Sequence, residues 1–107
     1  MRMLLGLALT ALIPQIALAG DWRYCVAPSH AQHKIYVTAP FPATVATMSD
    51  AESELARTLT RSGLQYDDVQ CPRSEDESAT LKMQQHAINY NHELGTQVIS
   101  LHWTPTR

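Results

Sequence analysis

Ser49-Asp50-Ala51-Glu52-Ser53-Glu54-Leu55-Ala56-Arg57-Thr58-Leu59-Thr60-Arg61-Ser62-Gly63-Leu64 is the stretch on which the fold of this chain turns. It opens as a capping box, in which the Ser49 side chain can accept from a backbone N–H while Glu52 reaches back to the cap. Ala51, Leu55, Thr58 and Leu59 then share one face at helical spacing. Gly63 stands where a left-handed residue closes a helix, and Leu64 supplies the apolar contact beyond it. An amphipathic helix to about Ser62 is expected, and its apolar face needs a sheet or a second helix as cover.

Upstream, residues 22–27 alternate as a strand does, with Trp22, Tyr24 and Val26 on one side and Arg23, Cys25 and Ala27 on the other. Residues 33–38 (H-K-I-Y-V-T) are rich in β-branched and aromatic types and predict a second strand, ended by Pro40 and Pro42. The short connection favours an antiparallel hairpin. Phe41, between the two prolines, is expected to tuck onto the core.

Downstream, residues 65–71 (Q-Y-D-D-V-Q-C) are short and polar and predict at most an edge strand. A second capping box, Ser74-Glu75-Asp76-Glu77, opens a helix expected to end at about Leu94 before Gly95. Residues 96–103 form the last predicted strand, with Ile99, Leu101 and Trp103 opposite Val98, Ser100 and His102. The order β-β-α-(β)-α-β predicts a small single α+β domain. Its expected form is a three- or four-stranded, mainly antiparallel sheet with two helices on one face.

Residues 1–19 carry the marks of an export signal: Arg2, an apolar run of about 11 residues, the breaker Pro14, and Ala17-Leu18-Ala19 before Gly20. The run is short of the roughly 20 residues that span a bilayer. Cleavage after Ala19 would leave residues 20–107 as one exported domain with no stable membrane anchor. The periplasm is the first compartment expected and the external medium the second. Without Arg2, 7 Lys and Arg stand against 10 Asp and Glu, a net charge of −3 that gives no electrostatic footprint for nucleic acid.

Cys25 and Cys71 are an even pair outside any C-x-x-C motif, which in an exported chain reads as a disulfide. Closing so long a loop removes up to about 4 kcal/mol of unfolded-state entropy. A domain this small buries only about 60–65% of its unfolded surface, so such a staple matters.

The second helix carries two candidate stripes. Met83, Ala87, Tyr90 and Leu94 are the more uniformly apolar and are expected to face the sheet. Leu81, Gln85, Ile88 and His92 then form an outward face of mixed character, suited to a partner.

His30-x-x-His33, with His102, offers the alternative of a bound metal or other ligand. His86 and His92 are six residues apart, about 240° around a helix, and cannot share a site. No catalytic residue and no cofactor is assigned. No G-x-S-x-G, no phosphate-cradling glycine loop and no free thiol stands out, and a chain of this length has little room for a dry pocket. The acids at 75–77 suit a helix start. The expected function is therefore a small exported interaction module, an accessory, inhibitor or assembly factor binding another envelope or secreted protein. A histidine-based binding protein is the alternative and a small hydrolase the third.

Overall fold

A computed structural model describes residues 20–106; the expected leader, residues 1–19, lies outside the described residues. The β-forming segments become β1 (Trp22–Arg23), β2 (Val26–Ser29), β3 (Lys34–Thr38), β4 (Phe41–Pro42), β5 (Arg73–Ser74) and β6 (Gln97–Leu101). The helices are α1 (Met48–Arg61) and α2 (Glu77–Glu93). The α+β class and the mainly antiparallel pairing are as expected.

The sheet differs in that it is two. One runs β4-β1-β5 and the other β2-β3-β6, with β3 and β6 parallel. The predicted strand at 22–27 breaks at Tyr24-Cys25 because those two residues have other partners. Tyr24 N donates to Pro72 O at 3.4 Å. Cys25 N donates to Thr38 Oγ1 at 2.9 Å, and Cys25 is bonded to Cys71. The expected disulfide therefore stands at the step between the sheets. Residues 65–71 do not form a strand, but a single bridge to Val26 lays them along the outer edge of β2.

Both helix starts move from their expected caps. Thr47 caps α1, its side chain accepting from Asp50 N at 3.1 Å, which places Ser49 inside the first turn. Glu52 is thereby released, and its Oε2 accepts from Cys71 N at 3.1 Å. Asp76 rather than Ser74 caps α2, accepting from Ala79 N at 2.8 Å, while Ser74 pairs with Trp22 in the sheet. The ends close as anticipated. Gly63 (φ +73°) and Gly95 (φ +80°) take the left-handed position. The bonds Leu64 N to Leu59 O at 3.0 Å and Thr96 N to Asn91 O at 2.9 Å complete the two C-terminal caps.

The helices lie on opposite faces of β2-β3-β6, not together on one. Ala51, Leu55 and Leu59 of α1 pack with Ala27, Tyr36, Phe41 and the disulfide, and Ile99, Leu101 and Trp103 close that cluster. Tyr24, Ile35 and Val37, with Val26 and Val98, pack against Met83 and Ala87 of α2. Alternate residues of β3 thus enter different clusters, and Ile35 through Thr38 are all buried. A central strand apolar on both sides needs two covers, and one helix supplies each.

Candidate interaction surface

Helix α2 presents a polar line to the sheet. Thr80 is fully buried, and Met83, Gln84, Ala87 and Asn91 are partly so. Each of the polar residues has a partner. Thr80 Oγ1 donates to Asp76 O at 2.8 Å, Gln84 Nε2 to Thr38 O at 2.7 Å, and Asn91 Nδ2 to Ala87 O at 2.8 Å. Met83 and Ala87 face the sheet as expected, but Tyr90 and Leu94 are each 61% exposed. The inward line runs between the two stripes read from the sequence. A buried amide or hydroxyl is costly only when unpartnered, and these are partnered.

Of the four residues assigned to a partner, Leu81, Gln85 and His92 are exposed and Ile88 is partly buried. Gln85 Nε2 donates to Asn89 Oδ1 at 2.9 Å. Leu94 and Asn91 line a cleft with Pro28 and His30, which places their side of α2 toward β2. The sheet order is β2-β3-β6, so the opposite flank, with Leu81 and Ile88, leans toward the outer edge of β6.

That edge is open. Gln97 N donates to His33 O at 2.9 Å, and the parallel register pairs Gln97 with Lys34 and Leu101 with Thr38. The backbone groups of Gln97, Ile99 and Leu101 therefore serve β3, and those of Val98, Ser100 and His102 point outward. Among the described residues no backbone group pairs with them. The outer edge of β2, by contrast, is covered. Val26 and Gln70 exchange bonds of 2.8 and 3.0 Å, and Asp67 N donates to Pro28 O at 2.7 Å. Edge strands usually carry a charge or a proline that discourages pairing; Q-V-I-S-L has neither.

The histidines do not converge. His30 and His33 belong to the hairpin loop at residues 30–33 and line one cleft with Lys34 and Leu94. His33 takes a left-handed backbone (φ +55°), which histidine tolerates better than most residues. His102 follows Leu101 at the far end of the β3–β6 ladder, six residues along from the level of His33 and so roughly 20 Å away at about 3.3 Å per residue. Among the described residues no three His, Cys, Asp or Glu side chains are placed to hold a metal ion.

His30 instead meets Asp67, whose Oδ2 accepts from His30 N at 2.8 Å and also contacts the ring Nδ1. The backbone N–H of His30, and then its ring, hold the Asp67 carboxyl below the ordinary carboxylate range. A depressed carboxyl contributes stability present above its unfolded value and lost as pH falls through its folded value. A carboxyl-carbon NMR titration should place the Asp67 midpoint below that of a free aspartate. Replacing Asp67 by Asn should remove the part of the pH dependence of stability that comes from this carboxyl. A normal midpoint would show that this contact is absent in solution.

The chain past β6 is fastened to α1. Trp103 stands edge-on to Phe41 at 6.4 Å and Pro105 is buried. Thr106 N and Oγ1 donate to Glu54 Oε2 at 2.9 and 2.8 Å. No local pattern announces these contacts, because Thr106 and Glu54 stand 52 residues apart and Trp103 and Phe41 farther still.

The chain matches no family model, no curated protein and no solved structure. Among the described residues no helix is long and apolar enough to cross a membrane. Over the described residues the chain is a disulfide-bonded α+β domain with one covered sheet edge and one open edge beside an apolar helix flank.

Proposed function

We propose that this chain is a small exported interaction module, an accessory, inhibitor or assembly factor that binds other envelope or secreted proteins. The observation that carries the reading is the open, uncharged edge of β6 beside Leu81 and Ile88. Extended backbone with unpaired N–H and C=O groups supplies affinity by strand addition, and neighbouring apolar side chains supply selectivity. Export is supported by the disulfide, a bond that persists in oxidising compartments, and by the leader pattern in residues 1–19. The periplasm is the compartment proposed first and the medium second.

A pull-down from native envelope with tagged residues 20–107 tests this reading. Ile88→Asp and Leu81→Asp should leave the fold intact, judged by the thermal midpoint, and should lower capture of bound protein several-fold. Capture that neither variant alters would remove this surface from the function.

A further inference from the structure

We propose that the partner of the β6 edge is a second copy of this chain, joined antiparallel about a two-fold axis at Ser100. The inference rests on the interaction reading above and narrows it: the exported protein that occupies this edge is another copy of the same chain, in place of an unrelated one. An isologous contact requires a surface that complements itself, and this edge does. With Ser100 opposite Ser100 of the second copy, Val98 faces the other copy's His102. Val98, Ser100 and His102 are the residues whose backbone groups point outward, so each opposed pair exchanges both of its hydrogen bonds. In the same register Ile99 lies opposite Leu101 of the second copy, an apolar pair on the α1 face of the sheet. No like charges are brought together anywhere along β6.

The helices fit the same axis. Pairing within a single sheet keeps both copies of α2 on one face. Neighbouring strands are about 4.8 Å apart, so helices over the two β3–β6 seams stand two spacings, roughly 10 Å, from each other. That is the packing distance of helices, and the flanks that would meet carry Leu81 and Ile88. A peptide strand from another protein would satisfy the edge but would bring no second helix to cover that flank.

The test uses residues 20–107 with the disulfide intact. Sedimentation equilibrium should give a dimer whose dissociation constant rises roughly tenfold or more in Ser100→Pro. The Ser100 N–H points outward, so this change spares the ladder to β3, and the thermal midpoint should hold. If Ser100→Pro proves unfolded, Ser100→Cys decides the matter. Opposed pairs of this kind have Cα atoms about 5.5 Å apart, within disulfide reach, so Ser100→Cys should form a covalent dimer under air and Gln97→Cys should not. A wild-type monomer, or a dimer unaffected at Ser100, would overturn self-pairing. If such a monomer captures an envelope protein that Ser100→Pro fails to capture, the edge serves another chain and only the identity of the partner is wrong. A monomer that captures nothing overturns the interaction reading as well.

Discussion

Replacing Cys25 and Cys71 together by alanine is expected to lower the unfolding free energy by about 2–5 kcal/mol. The bond joins residues 46 apart in sequence, so its loss returns a long loop to the unfolded ensemble. Small domains hold roughly 5–15 kcal/mol in all, so a large share of the stability rests on one bond. Both cysteines are buried, at 0% and 1% exposure, between the first sheet and α1. Alanine is the replacement of choice there, since a serine hydroxyl would add an unpartnered polar group. The noncovalent ties at the same place, Cys25 N to Thr38 Oγ1 and Cys71 N to Glu52 Oε2, soften the loss without replacing it. Urea unfolding of the two proteins gives the difference. Non-reducing mass spectrometry should find the wild type about two mass units lighter than its reduced form. Free thiols titrating in the folded wild type, or equal unfolding midpoints, would contradict the bond or its weight.

Leu55→Ala is the second large effect, at about 2–5 kcal/mol. Leu55 is fully buried and meets the sheet face that carries Tyr36 and Ala27, so truncation leaves a cavity that those rigid neighbours fill poorly. In a domain of this size each kcal/mol moves the melting temperature by about 4–8 °C, which predicts a fall of roughly 10 °C or more. Leu94→Ala is the matched control. Leu94 is 61% exposed at the C-terminal end of α2, and its loss should cost within about 0.5 kcal/mol. Equal shifts in the two variants would mean that α1 does not form the core face described.

Most of α1 is legible in the sequence. The spacing of Ala51, Leu55 and Leu59 is local, and all three are buried. Gly63-Leu64 closes the helix through bonds that span only a few residues. Where the same local logic failed, a distant partner had intervened. Ser49 and Glu52 form a plausible capping box by spacing, but Thr47 takes the cap and Glu52 turns to Cys71, 19 residues away. The contacts of Trp103 with Phe41 and of Thr106 with Glu54 escape a local reading for the same reason, since their partners lie far from them in sequence.

The candidate surface was half legible. Leu81, Gln85 and His92 were assigned to the outside by their mixed stripe, and they are exposed. The facing of Tyr90 and Leu94 went the other way because apolarity alone chose their stripe. Gln84 and Thr80 hold the inner face through bonds to Thr38 O and Asp76 O, and one of those acceptors lies 46 residues from its donor. The edge of β6 could not be read at all. Whether a strand has one neighbour or two is a property of the sheet, not of its residues.

By itself the sequence determined the α+β class, the two helices with their glycine ends, and the pairing of the two cysteines. These depend on period, cap chemistry and the parity of thiols, which act over a few residues or admit one solution. Tertiary structure alone decided that the sheet divides at Tyr24-Cys25, that β6 joins β3 in parallel, and that the two helices take opposite faces. Those choices turn on which buried backbone and side-chain groups find partners across the molecule. A chain satisfies that condition only once, and only as a whole.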